Sequence, residues 1–393
     1  MFKKILDISA YLNLKEVGLL ELTFALTPML SGFSLGKIPL SALMWLILIM
    51  ITVNRKGGGK MRNFKPLTIF VVYWLLHTLA IMLVDEYNIN AFIVQFIYFA
   101  AVYLLYPILD SQKLRGSLNW VALISIAGLL YQWTIIITGR GVHPLEIPGL
   151  SMSEGRLEQL ILRPSSFFME PAAYVSFMMC PLALSMMDRK WSWSATLILS
   201  IFLTTSTTGL VLSFLLMGMT LFGNRLRKGT MVAVVVLAGA MFYSLTHFDA
   251  FNAGVEKFEN TNTETNVRLS QGIYVVSTME PAEFIFGAPY SSTYSYCKSG
   301  RAPNVVYYGE SVFMPTFWLM ILCYGIAGLL LYLNIYWKIY KTSKKTMPYI
   351  VCLIAVMFSS GYCIEGLYIF TLIFLLVIAR SDKPLMLKQK RIR

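Results

Sequence analysis

The stretch PLTIFVVYWLLHTLAIMLV, residues 66–84, decides the fold. It holds no Asp, Glu, Lys or Arg, and as a helix it is long enough to cross the hydrocarbon core of a bilayer. Its two flanks differ in sign. Arg55, Lys56, Lys60, Arg62 and Lys65 precede it, whereas Asp85 and Glu86 follow it. Basic residues are retained on the cytoplasmic side of membrane spans, so this run is expected to begin inside and end outside.

Similar runs recur in both directions. Apolar spans are expected at 17–36, 38–53, 66–84, 91–109, 119–138, 171–187, 194–208, 209–223, 230–246, 312–333, 348–363 and 366–380, about twelve in all. The basic clusters fall in alternate connectors. Lys113 with Arg115, Arg189 with Lys190, the group Arg225, Arg227 and Lys228, and the group Lys338, Lys341, Lys344 and Lys345 share one side. The tail, with Lys383, Lys388, Lys390, Arg391 and Arg393, joins them. The expected fold class is an all-α polytopic membrane protein, one integral membrane domain over residues 1–393, with both termini cytoplasmic.

Composition agrees. With 57% hydrophobic and 13% charged residues and a mean hydropathy of +0.64, a soluble globular domain is excluded. The net charge of +13 reflects the topological clusters, and no nucleic-acid partner is expected. The start, Met1-Phe-Lys-Lys-Ile-Leu-Asp7, reads as an interfacial amphipathic stretch without a cleavable signal. Of the cysteines Cys180, Cys297, Cys323, Cys352 and Cys363, only Cys297 lies clearly in a polar loop, so there is no disulfide framework. His77, His143 and His247 are far apart and match no zinc motif.

Two outer segments, 139–170 and 247–311, are longer than a helix connection needs and mix acidic, basic and aromatic residues. Function is expected there. The first holds Arg140, His143, Arg156, Glu158, Arg163 and Glu170; the second holds His247, Glu256, Lys257, Arg268, Lys298, Arg301 and Glu310. An arginine fork suits bidentate contact with phosphate, although a loop arginine can equally face water or lipid head groups. Lys56-Gly-Gly-Gly-Lys60 lacks phosphate-loop spacing and reads as a cytoplasmic turn. Gly325-Ile-Ala-Gly328 reads as close helix packing.

Arg163-Pro-Ser-Ser-Phe-Phe-Met-Glu170-Pro171 sets two opposite charges where the first long loop meets a span. Pro171 suits the first helical position, which puts Glu170 at the cap beside the positive helix end. Glu170 then either caps that helix or serves as a general base at the boundary of apolar core and water. Tyr174, one turn on, either faces the same side or anchors the interface.

These segments resemble a known family. Arg163 to Tyr174 is similar to the Arg-x-Ser-Gly-Phe-x-x-Glu-Pro segment of bacterial O-antigen and capsule repeat-unit polymerases of the Wzy type, with Ser166 where the family often has Gly. Thr204-Thr-Ser206-Thr-Thr208-Gly209 resembles their small-residue turn between spans. Asn266-Val-Arg268-Leu-Ser270 resembles the arginine segment of their second outer loop, and Glu310-Ser-Val with Tyr324-Gly-Ile-Ala-Gly328 the entry to their next span. The resemblance implies a GT-C-like glycosyltransferase architecture in the bacterial cytoplasmic (inner) membrane, with the active site facing the periplasm. It also implies transfer of a growing glycan from undecaprenyl diphosphate to an undecaprenyl-diphosphate-linked repeat unit.

In that chemistry Arg163 and Arg268 would bind the diphosphate, helped by Arg156 and Arg301. Glu170 would be the base, or would orient an arginine. Tyr174 would position the sugar, and Glu310 would contact substrate. No metal ligand set appears in the sequence, so transfer without metal or cofactor is expected. A chain-length regulator and a flippase are expected partners. An O-antigen ligase is the alternative within the enzyme class, kept open by His143 and His247. A lipid-linked oligosaccharide flippase or transporter is the alternative from another class. The scarcity of ionisable residues in the spans, chiefly Glu21, His77 and Glu365, weighs against transport.

Overall fold

The computed structural model describes residues 16–35, 38–54, 64–84, 89–140, 145–152, 163–223, 267–290, 292–308, 311–359 and 365–391. The amphipathic start, the expected span at 230–246, and His143, Arg156, Glu158, His247, Glu310 and Cys363 lie outside the described residues. Among those described, helices dominate and two small sheets complete the regular structure. The residues cluster into two compact units, each drawing on two stretches of chain. The first comprises 1–51 and 109–260, the second 52–108 and 261–393.

In the first unit the order is α1 (Leu19–Leu26), β1 (Phe33–Leu35), β2 (Ile38–Pro39), α2 (Leu40–Asn54, whose end passes into the second unit), α5 (Ser111–Ile137), β3 (Ser151–Met152), α6 (Pro171–Met187), α7 (Trp191–Leu203) and α8 (Thr207–Gly223). Helix α6 lies at its centre. From Tyr174 to Met186 all but Ser176 are buried, as expected of a helix that is apolar on every face. Helices α5, α7 and α8 pack around it. The approach of α8 requires Gly209, because a Cβ there would come within 2.5 Å of Val175.

The expected span at 17–36 is not a helix of that length. Helix α1 ends at Leu26, where the Thr27 hydroxyl donates to Phe24 O at 2.8 Å. Pro28 then follows, a residue without an N–H to extend the ladder. The chain turns into β1, which pairs antiparallel with β2 (Ser34 opposite Pro39) and with β3 (Ser34 opposite Ser151). The first long loop is therefore stitched to the segment after α1 by backbone hydrogen bonds.

In the second unit the order is α3 (Lys65–Met82), α4 (Ile89–Leu105), α9 (Val267–Ser277), α10 (Pro281–Phe286), α11 (Thr293–Tyr296), a short π-type turn (Cys297–Arg301), β4 (Tyr307–Tyr308), β5 (Ser311–Val312), α12 (Thr316–Thr342), α13 (Met347–Ser359) and α14 (Gly366–Arg391). Helix α3 packs against α12 in the reverse direction. Phe70 meets Tyr332 at a ring separation of 5.4 Å, and His77 meets Tyr324 at 5.6 Å. Helix α12 is broken at Gly325, which has φ 65° and ψ −179°. The small-residue pair expected to serve close packing thus does more. Gly328 lets Tyr73 approach, while Gly325 ends one helical segment and starts another.

Three described helices are long and apolar enough to cross a membrane: α3, α5 and α12, with mean hydropathies of 1.5, 1.8 and 2.0. One stripe of α3 leaves Ile69, Val72, Leu76, Leu79 and Leu83 exposed, a continuous apolar surface that suits acyl chains far better than water. Basic connectors meet within each unit. Arg115, at the start of α5, pairs with Asp188 after α6. In the second unit Lys345 pairs with Asp382 at 3.4 Å, and Arg380 donates to the carbonyls of Tyr106 (2.8 Å) and Pro107. Each contact joins connectors that the alternation of basic clusters assigns to one side.

The start of α5 offers a direct test of local stability. Asp110 is its cap, accepting from Gln112 N (2.8 Å) and Lys113 N (2.9 Å), while its own N–H donates to the buried Glu21 at 2.9 Å. Asp110→Ala is expected to cost about 1 kcal/mol, whereas Asp110→Asn should cost little. Thermal unfolding in detergent micelles reads the difference.

Candidate functional site

The segment Arg163–Pro171 is built on a buried side chain of α5. Gln132 is fully buried, and its Oε1 accepts from Ser165 N (3.0 Å) and Ser166 N (2.7 Å). Its Nε2 donates to Ser166 O at 3.4 Å, and Leu145 N donates to the same oxygen at 2.8 Å. One amide thus satisfies backbone groups that no helix or strand could pair. Ser166 sits at φ 57°, a left-handed conformation that favours glycine. Its hydroxyl is buried without a hydrogen bond, and Gly128 of α5 leaves the room it needs.

After that turn the Ser165 hydroxyl donates to Phe168 O at 2.7 Å. Phe168 is buried edge-on against Tyr174, with ring centroids 5.5 Å apart, and also meets Phe177. Tyr174 is therefore a core residue rather than an interfacial one. Its hydroxyl lies against Ser200 and makes no well-formed hydrogen bond.

Glu170 occupies the cap position of α6 with extended backbone (φ −152°, ψ 156°), and Pro171 opens the helix. Its carbonyl accepts from Ala173 N and Tyr174 N. The half-buried carboxylate makes no capping hydrogen bond. The backbone follows the cap expectation and the side chain does not.

Arg163 links this segment to a second one. Its Nη2 donates to Thr205 O at 3.0 Å. Thr205 has φ 54°, and it lies in the turn between α7 and α8. The turn is held by its own hydroxyls: Thr204 Oγ1 donates to Ile201 O at 2.7 Å, and Ser206 Oγ accepts from Gly209 N at 3.3 Å. Trp133, next to Gln132 on α5, donates to Leu203 O at 2.9 Å. Residues 163–171 and 204–209, singled out separately in the sequence, are thus brought together. No protein-family model matches the chain, and no curated protein does.

The second unit holds the remaining described candidates. Arg268 is on α9. Arg301 closes the π-type turn, and its Nη1 donates to Glu283 Oε1 (3.1 Å) and Oε2 (3.0 Å) and lies 3.1 Å from Glu280. Glu283 also accepts from Glu280 N at 3.0 Å, locking the first turn of α10. The nearby Glu283 carboxylate, then Glu280, raises the Arg301 pKa further above its ordinary value. Arg301 thus neutralises acidic neighbours and fastens α10 to the turn after α11. Cys297, the loop cysteine, is buried, and burial pushes its thiol up to about 11. Tyr296, also buried, is shifted up chiefly by burial.

Among the described residues no group of three His, Cys, Asp or Glu side chains could hold a metal ion. Arg140 is described and exposed. The residue that sequence reasoning passed over is Gln132. Its signal is an amide deep within an apolar run, easily passed over because it carries no charge.

Two outcomes are expected. Ser166→Gly removes both the left-handed strain and a buried unpaired hydroxyl, and should stabilise the protein by about 1–2 kcal/mol, read as a raised melting temperature. Arg301→Ala leaves the Glu283 carboxylate buried at 10% exposure beside Glu280. It should destabilise by about 1 kcal/mol, the low figure reflecting an arginine that is one-third exposed. Faster proteolysis within 267–308 would report it.

Proposed function

We propose that the chain polymerises lipid-linked oligosaccharide repeat units at the outer face of a bacterial cytoplasmic membrane. The growing glycan would pass from undecaprenyl diphosphate to a new undecaprenyl-diphosphate-linked unit. The observation that carries this reading is the hydrogen bond from Arg163 to Thr205 O. It joins the two segments of the first unit that resemble Wzy-type polymerases, although they lie 42 residues apart. The left-handed φ of Ser166 adds support, since it supplies a physical reason for the glycine common at that place in the resembled pattern.

In this reading about twelve spans place both termini in the cytoplasm and the segments 139–170 and 247–311 outside. The acceptor hydroxyl attacks the anomeric carbon of the donor glycan. The bond from that carbon to the diphosphate oxygen breaks, and the hydroxyl proton passes to Glu170. Arg163 stabilises the departing diphosphate, which is already a good leaving group, and Arg268 remains a candidate for that role. Arg156 and Glu310 remain candidate substrate contacts. Arg301 supports the fold of its loop, and Tyr174 supports Phe168 and so the position of Glu170.

A second reading, lipid-linked oligosaccharide flipping, is favoured by one feature. A membrane helix interrupted part-way, as α12 is at Gly325, is a common element of transport paths.

The products separate the readings. Glu170→Gln should slow elongation at least about 100-fold, as loss of a general base does, and leave single repeat units on acceptor lipid with an unchanged melting temperature. Arg163→Lys should do the same while retaining a donor to Thr205 O. Intact ladders of long chains in both variants would remove Glu170 and Arg163 from the site. Repeat units trapped on the cytoplasmic face would establish flipping, and long chains never joined to lipid A core would establish a ligase.

A further inference from the structure

Helix α10 is short, belongs to the second long loop, and ends in Phe284-Ile285-Phe286, exposed by 37%, 48% and 60%. Three consecutive large apolar side chains on a water-facing loop would be a liability. Their setting gives the reason for them. The carbonyl of Ile285 fits into the break of α12, where a Cβ on Gly325 would fall 2.2 Å from it. Gly287, at φ 98°, lies so close that its own Cβ would be 2.5 Å from Cys323 O and 2.7 Å from His77 Nε2.

The break frees backbone carbonyls, and those of Leu322 and Tyr324 are taken up locally. Ala288 N donates to Leu322 O at 2.8 Å. The Tyr73 hydroxyl lies 2.8 Å from Tyr324 O and 3.0 Å from Phe286 O, bridging the two backbones. His77 stacks on Tyr73, and its Nδ1 is buried without a hydrogen bond. Irregular backbone satisfied entirely by protein is the condition for chain lying at membrane depth.

The depth follows from two helices. Gly325 is nine residues from Thr316, where α12 begins, and Tyr73 is nine residues from Met82, where α3 ends. At about 1.5 Å per residue both distances come to roughly 13 Å. Because α3 and α12 run in opposite directions, these two ends lie on the same side, and the two estimates agree. Half of a hydrocarbon core is about 15 Å.

We infer that α10 is a re-entrant element: it dips from the loop to near mid-depth and presents Phe284, Ile285 and Phe286 to the acyl chains of the leaflet it enters. The charged trio Glu280, Glu283 and Arg301 then sits at its mouth, in reach of the head groups. The inference rests on the chain being a membrane protein, and it leaves open which reaction the protein performs.

Hydroxyl-radical footprinting of the wild-type protein in nanodiscs of phosphatidylethanolamine and phosphatidylglycerol tests it. The expected result is loss of labelling at Phe284 and Phe286 to the level of Leu76 and Leu79, with Tyr307 labelled. A photoreactive benzophenone side chain at position 286 should then yield covalent phospholipid adducts. Labelling of Phe284 and Phe286 at the level of Tyr307, with Leu76 and Leu79 protected, would overturn the re-entrant element alone. Labelling of all these positions would overturn the membrane reading and the inference with it. Protection at Phe286 without lipid adducts would mean that protein covers the tip, and would also overturn the inference.

Discussion

A backbone N–H or C=O in an apolar setting must find a partner inside the protein, and both units are organised around the places where a helix cannot supply one. In the first, the amide of Gln132 pairs with Ser165 N and Ser166 N and reaches Ser166 O. In the second, Tyr73 and Ala288 take up carbonyls released at Gly325. An unpaired buried group costs about 1–3 kcal/mol, so these few side chains decide where the chain is allowed to leave regular structure.

The Gln132 cradle has a consequence for the charged segment that follows it. Once Ser165 and Ser166 are pinned, Phe168 is directed into the core against Tyr174, and Glu170 arrives at the head of the central helix. Arg163, on the other side of the pinned turn, is held against the turn that joins α7 to α8. The two charges therefore stand beside hydrogen-bonded turns although they belong to a loop. Tyr174, in the first turn of the same helix, is buried against Phe168.

Part of this architecture is legible in the sequence. The span at 171–187 matches α6, and those at 66–84 and 91–109 match α3 and α4 to within a few residues. Apolar length and the alternation of basic connectors are strong signals that depend only on local composition. The span at 17–36 failed because Thr27-Pro28 interrupts an apolar run whose hydropathy continues. Gly325 escapes a sequence reading because small-residue spacing looks the same in a straight helix and a broken one. Arg301 resembles a phosphate binder in sequence, which does not show that Glu280 and Glu283 fold back onto it.

The sequence by itself determined that the chain is helical and strongly apolar, that its basic clusters alternate, and that Arg163 and Glu170 precede the start of a helix. These follow from residue type and near-neighbour spacing. Only the tertiary structure decided that Arg163 reaches Thr205, that Ser166 takes a left-handed turn on Gln132, and that α10 enters the break in α12. Each joins groups distant in sequence by geometry, a close approach or an otherwise unpaired carbonyl, and no periodicity in the chain records it.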